Sequence, residues 1–192
     1  LEQGAELLLI ANASPYRDDK LDARVRMLSE RHADTGLPMV YCNLTGGQDE
    51  LVFDGRSMLV DGAGEISGPG PLCEEALLLA DFSPEDRSLS GVDWASAPQD
   101  QLEEIYRVLL TGLRDYVHKN GFSDVVFGLS GGIDSSLTLA LAVDALGAEH
   151  VHTVMMPSRH TSGLSIELAQ QQAVQLGVDH RCISIEPAFE SL

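Results

Sequence analysis

Residues 127–136, Phe-Gly-Leu-Ser-Gly-Gly-Ile-Asp-Ser-Ser, hold the densest set of groups suited to binding a phosphate. Gly131 and Gly132 lack a Cβ, so the backbone can turn tightly and lay its N–H groups against an anion. Ser130, Ser135 and Ser136 add hydroxyl donors, and a helix beginning here adds the positive end of its dipole. Asp134 would repel phosphate directly, and its chemistry suits Mg²⁺ that bridges to phosphate oxygens. Neither lysine, Lys20 or Lys119, follows a glycine, which excludes a Walker A loop. The plainer alternative is a Ser/Gly turn that caps the helix. Five specified residues in six positions coincide by chance in roughly one chain in a few thousand, which favours phosphate binding.

Other residues carry less on their own. Ser14 in Asn12-Ala13-Ser14-Pro15 reads as a turn residue and Lys20 as a solvated charge. Cys42 falls in an apolar run, where a buried thiol acts as a small hydrophobe rather than a nucleophile. His150 and His152 share a strand face without an apparent third metal ligand, so they read as surface histidines. Arg159, His160 and Thr161 follow a strand end, where α/β folds bind ligands; a solvated loop is the alternative. The pairs Glu74-Glu75 and Glu103-Glu104 read as solvated faces.

The elements that must position these groups follow from periodicity. Strands are expected at residues 5–12, 37–44, 57–61, 65–67 and 77–82, with a helix over 18–34 ended by Gly36 and a loop at 45–50. Residues 83–98, rich in Ser, Pro, Asp and Gly, read as a linker. A helix over 99–120 follows, its stripe from Leu102 to Leu113 forming core or interface and Gly121 its C-cap. Strand 124–129, helix 134–146, strand 151–156, helix 162–176 and strand 179–185 then alternate, which predicts a parallel sheet. The expected division is residues 1–92 and 93–192. Among 192 residues, 30 are acidic and 12 basic, and the resulting charge of −18 argues against nucleic acid. Apolar runs are too short to span a bilayer. Three scattered cysteines suit a reducing cytoplasm without disulfides.

Ser130-Gly131-Gly132-Ile133-Asp134-Ser135 resembles the pyrophosphate-binding loop of the adenine-nucleotide α-hydrolases, which cleave ATP between its α and β phosphates. Residues 156–162 (MPSRHTS) and Ile185-Glu186-Pro187 resemble the NAD synthetase branch. Asn12-Ala13-Ser14-Pro15-Tyr16 with Lys20, and the run 46–55 (GGQDELVFDG), resemble a nitrilase-type amidase, the glutaminase half of glutamine-dependent NAD synthetases. The resemblance implies an α/β chain: a partial nitrilase-like αββα sandwich, then a partial doubly wound parallel-sheet nucleotide domain. It implies ATP-dependent amidation of deamido-NAD through an acyl-adenylate, with ammonia from glutamine and release of AMP and pyrophosphate. Gly128, Leu129, Ser130, Gly131, Gly132, Ile133, Asp134 and Ser135 would hold the nucleotide, Asp134 the Mg²⁺, and Ser14 and Lys20 the glutamine. A cytoplasmic homo-oligomer without nucleic acid or membrane partners is the corresponding expectation. The glutaminase Glu, Lys and Cys are expected upstream of residue 5, so the chain alone is expected to be inactive. The alternatives are another amidotransferase with the same loop, or a non-catalytic nucleotide-binding or inert module.

Overall fold

The computed structural model describes residues 4–92, 94 and 100–191. They form two compact units, residues 1–112 and 113–192.

In the first unit, β1 (Leu8–Asn12), β2 (Met39–Asn43), β5 (Met58–Val60) and β6 (Ile66–Ser67) make one four-stranded sheet in the order β1-β2-β5-β6. β1 and β2 run parallel, as a helical crossover between them requires, while β5 and β6 are antiparallel additions. That crossover helix is α1 (Lys20–Thr35), ended by Gly36 at φ +64° with its N–H on the His32 carbonyl. Leu28 from α1 packs with Met39, Tyr41, Met58 and Val60, all essentially buried, on one face of the sheet. Fully burying each such side chain is worth about 1.5–3 kcal/mol.

Residues 45–50, expected as a loop, instead open a hairpin. β3 (Thr45–Gln48) pairs with β4 (Leu51–Asp54) across the two-residue turn Asp49-Glu50, with Asp49 at φ +51°. Glycine-rich sequence reads as loop, yet Gly46 and Gly47 here face Phe53 and Val52 in a ladder. The strand expected over 77–82 is also corrected. Only Asp81–Ser83 (β7) is extended and paired, with β8 (Ser88–Ser90), while Leu77 and Leu79 stay exposed. The apolar run has no strand neighbour to bury it among the described residues. The expected linker therefore begins with a hairpin; residues 93 and 95–98 of it lie outside the described residues.

α2 (Gln101–Lys119) crosses from one unit to the other. Its first part belongs with the first unit: Val108 packs with Leu72 and Cys73, and Glu104 holds buried Arg56 through two hydrogen bonds of 3.0 and 2.6 Å. Leu102 and Leu109, expected on the buried stripe, are exposed, and Val108 and Thr111 are buried in their stead. The spatial division thus falls inside a helix, at residue 112, later than the compositional break.

The second unit alternates β9 (Val125–Gly128), α3 (Ile133–Leu146), β10 (Val151–Met155), α4 (Gly163–Leu176) and β11 (Asp179–Cys182), then a short α5 (Glu186–Glu190). The three strands are parallel in the order β11-β10-β9. Leu139 and Ala142 of α3 and Ala169 and Ala173 of α4 close with Val151 and Met155 into one core. No helix among the described residues is long and apolar enough to cross a membrane.

Candidate nucleotide site

The best-formed candidate site lies where β9 gives way to α3. Leu129 is buried, and its N–H donates to the Val154 carbonyl of β10 at 3.0 Å, so the loop leaves from a fixed point. Gly131 takes φ +75°, and Gly132, at φ −88° and ψ 160°, is the N-cap of α3. A Cβ on Gly131 would drive into the backbone of Ser165, 2.9 Å from its carbonyl carbon and closer still to the oxygen. Conformation and contact both demand glycine there.

The serines brace the loop from within. The Ser130 N–H donates to Ser135 Oγ at 3.2 Å, and Ser135 Oγ–H donates to the Gly132 carbonyl at 3.0 Å. Ser130 Oγ accepts from the Gly132 N–H at 3.3 Å and lies 3.0 Å from Ser135 Oγ. No side chain caps α3, whose first internal bond runs from Ser136 N–H to the Gly132 carbonyl. The Ser/Gly turn thus starts the helix at Gly132 through its backbone, with no serine hydroxyl as the cap. A braced loop leading into an uncapped 14-residue helix offers first-turn N–H groups and the dipole's positive end to an anion.

Asp134 is exposed in the first turn of α3. The Ile133 side chain is 81% exposed, so it contributes to the loop through its backbone. Among the described residues, no three His, Cys, Asp or Glu side chains are grouped to hold a metal. One carboxylate beside a phosphate site fits Mg²⁺, which keeps waters and phosphate oxygens as its other ligands.

Beside the loop, at the carboxyl ends of β9 and β10, is a cavity of about 550 Å³. Residues 128–130, 154–156 and 160–162 and Ser165 line it, giving apolar walls at Leu129 and Met156 and hydroxyls at Ser130 and Thr161. The structure therefore brings His160 and Thr161 to the loop, but not Arg159. Arg159 turns outward to Glu186 and Glu190 and lies over the Phe189 ring, 5.3 Å from its centroid. Ser165 and the capping residue Ser162 were not candidates in the sequence; the signal was the Ser-x-x-Ser spacing of an N-cap, with Ser162 Oγ accepting from the Ser165 N–H at 3.1 Å.

In the first unit, Ser14 is held on three sides. Its N–H donates to Asn43 Oδ1 at 2.9 Å, and Arg24 donates to its Oγ at 3.2 Å and its carbonyl at 2.7 Å. Arg24 in turn forms a bidentate pair with Asp54 at 2.9 and 2.7 Å, both side chains 2% exposed. Sequence reasoning missed Arg24, Asn43 and Asp54; the available signal was a charge at position 24 within the apolar period of Leu21, Val25 and Leu28. Lys20 opens α1, half-buried, and no hydrogen bond joins its side chain to Ser14 among the described residues.

Cys42 is exposed, contrary to the expectation from its apolar strand. Met39, Tyr41 and Asn43 face the buried side of β2, so alternation turns Cys42 to the other face. There it lines a cavity of about 430 Å³ together with Asn12, Thr45, Arg56, Glu74 and Glu75. Burial and the adjacent Glu104 carboxylate push the Tyr16 phenol up to about 12. His150 and His152 both meet Asp124, at 3.5 and 3.3 Å, and His152 also meets Asp179 at 3.5 Å. Hydrogen bonds from Ser123, then His152 and His150, hold the Asp124 carboxyl below its ordinary range.

Residues 2–89 match the carbon–nitrogen hydrolase family, and residues 105–192 match the NAD synthase family. The chain is 46% identical to the glutamine-dependent NAD(+) synthetase of Xanthomonas campestris pv. campestris (strain 8004), over 100% of this chain and 35% of that protein. It is 44% identical to the glutamine-dependent NAD(+) synthetase of Rhodobacter capsulatus, over 95% of this chain and 33% of that protein. The solved glutamine-dependent NAD+ synthetase of Acinetobacter baumannii, in complex with ADP, superposes with a TM-score of 0.88 at 42% identity, over 99% of this chain and 36% of that one. The chain thus spans about a third of the length of the relatives it matches. It joins an α/β part similar to carbon–nitrogen hydrolases to an α/β part similar to NAD synthases.

Proposed function

We propose that this chain, similar over its whole length to glutamine-dependent NAD(+) synthetases, carries the nucleotide loop and part of the glutaminase half of such an enzyme. The reaction is ATP-dependent amidation of deamido-NAD. ATP adenylates the nicotinate carboxylate and releases pyrophosphate, then ammonia from glutamine displaces AMP to give the amide. The observation that carries this reading is the braced, uncapped loop: Gly131 pressed on the Ser165 backbone, with no side chain occupying the N-terminus of α3. The ADP in the Acinetobacter baumannii protein supports an adenine nucleotide as its occupant.

In this reading residues 128–135 hold the departing pyrophosphate. The first-turn N–H groups of α3, which have no intrahelical acceptor, are in place before charge develops, so little reorganisation accompanies the step. Met156, about half exposed, offers apolar surface to a base, and Thr161 a hydroxyl. Asp134 holds Mg²⁺, which supplies Lewis-acid neutralisation of phosphate charge. Ser14, fixed by Arg24 and Asn43, keeps a hydroxyl proton for the amino acid head of glutamine, and Lys20 pairs with its carboxylate. The glutaminase part is residues 1–92 and the synthetase part residues 93–192; the whole enzyme is a cytoplasmic homo-oligomer.

The test is Asp134→Asn in the full-length enzyme, followed by ATP–pyrophosphate exchange and glutamine hydrolysis. Exchange should fall about 100-fold, the scale of losing one electrostatic stabiliser, with hydrolysis largely retained. Equal loss of both would overturn the division of labour. The 192-residue chain alone should release no ammonia from glutamine, because a covalent mechanism needs its nucleophile and base. Ammonia release that disappears in Cys42→Ser would make the exposed Cys42 the nucleophile and overturn the nitrilase-type assignment.

A further inference from the structure

We propose that Glu186 is a positioning residue for the nucleotide cavity: its carboxylate clasps the backbone of Arg159 and thereby sets the turn carrying His160 and Thr161. The inference rests on the reading of that cavity as a nucleotide site.

Beyond their strands, β10 and β11 stay zipped by main-chain bonds from Ile183 N–H to the Met155 carbonyl (2.8 Å) and Ile185 N–H to the Pro157 carbonyl (3.1 Å). Glu186 follows at once. One of its oxygens accepts the Arg159 backbone N–H at 2.8 Å, and the other accepts from the Arg159 guanidinium. From Arg159 the chain closes a turn, with Thr161 N–H on the Ser158 carbonyl and Ser158 N–H on Thr161 Oγ1, each at 3.0 Å. Ser162 then caps α4, and the first turn of α4 presents the Ser165 backbone against Gly131. A continuous mechanical path thus runs from the Glu186 carboxylate to the phosphate loop, through the wall of the cavity.

The two halves of the clasp differ in worth. The Arg159 guanidinium is 49% exposed, and ion pairs in that setting contribute little. A carboxylate bonded to a main-chain N–H is charge-assisted and fixes the chain itself, whatever residue stands at 159. The backbone bond therefore does the positioning, and the ion pair only accompanies it. An ordinary surface salt bridge would make the two residues equivalent; the clasp makes them unequal.

The experiment uses the 192-residue chain, with Mg·ATP affinity from calorimetry and backbone hydrogen exchange at residues 159–161. Glu186→Ala should weaken Mg·ATP about tenfold, the equivalent of one charge-assisted bond. Glu186→Gln keeps an oxygen acceptor and should lose about two- to threefold, a partial rescue. Arg159→Ala retains the N–H and should lose less than about twofold, in keeping with an exposed pair. Amide exchange at 159–161 should speed up about tenfold in Glu186→Ala and stay near wild type in Arg159→Ala. Equal effects of the two alanine variants, or unchanged exchange in Glu186→Ala, would overturn the clasp. Faster exchange with unchanged affinity would overturn its bearing on the nucleotide. A wild-type chain that binds no Mg·ATP would remove the nucleotide reading, and the positioning role with it, while exchange would still decide the clasp.

Discussion

Gly131→Ala should eliminate measurable nucleotide binding by the 192-residue chain, with the Kd for Mg·ATP rising about 100-fold or more, the cost of an ångström-scale misplacement. Alanine meets two obstacles at this position. Its φ of +75° lies in the left-handed region, which costs an L-residue roughly 1–2 kcal/mol. Its Cβ also meets the Ser165 backbone, which cannot rotate away as a side chain would. The loop and α4 must separate, and the N–H groups of the loop and first turn swing out of register. Gly132→Ala is the control. Its φ of −88° is open to any residue, and the added methyl would meet only Ser130 Oγ, at 3.4 Å. Calorimetric titration of both variants should therefore give a large loss at 131 and a much smaller one at 132. Comparable losses would mean that the loop binds by general flexibility rather than by this packing.

Arg24→Ala should destabilise the first unit by about 3–5 kcal/mol, the range for removing one partner of a buried ion pair. Asp54 would be left 1% exposed without its counter-charge, and Ser14 would lose two of its hydrogen bonds. Asp54→Ala should cost a similar amount. The double variant should lose far less than the two combined, since neither charge is then stranded. Trp94, the one tryptophan of the chain, lines a cavity of the first unit with Val40, Met58 and Leu78, so its fluorescence in urea follows this unit. Strict additivity would show that the two charges act independently despite their contact. On the proposed role of Ser14, the same substitution in the full-length enzyme should raise the KM for glutamine, because the hydroxyl is no longer fixed.

Much of the second unit was legible because its elements carry their own punctuation. Gly177 ends α4 in the left-handed region, Ser162 begins it, and strands of alternating burial such as β10 lie between helices. The loop was legible for the same reason, since its glycines and serines act within six residues. Less of the first unit could be read. Gly46 and Gly47 look like loop until a partner strand is known, and Arg24 looks solvated until Asp54 is brought beside it from thirty residues away. Cys42 shows the limit most directly. The apolar character of its neighbours does not reveal which side chains of a strand face a covering helix. His160 and Arg159 are adjacent in the chain, yet one faces the cavity and the other Glu186; that sorting depends on where β11 ends.

The meeting of Gly131 with Ser165 has a consequence for how such a protein can diverge. One side of the contact is a hydrogen atom and the other a peptide carbonyl, so no second side chain exists to change in step with the first. This contact places no demand on the side chain at position 165, while position 131 is held to a single letter. Methods that infer proximity from pairs of positions varying together would find nothing at this contact. The most restrictive contact of the site would be invisible to them, since its constraint is written on one partner alone.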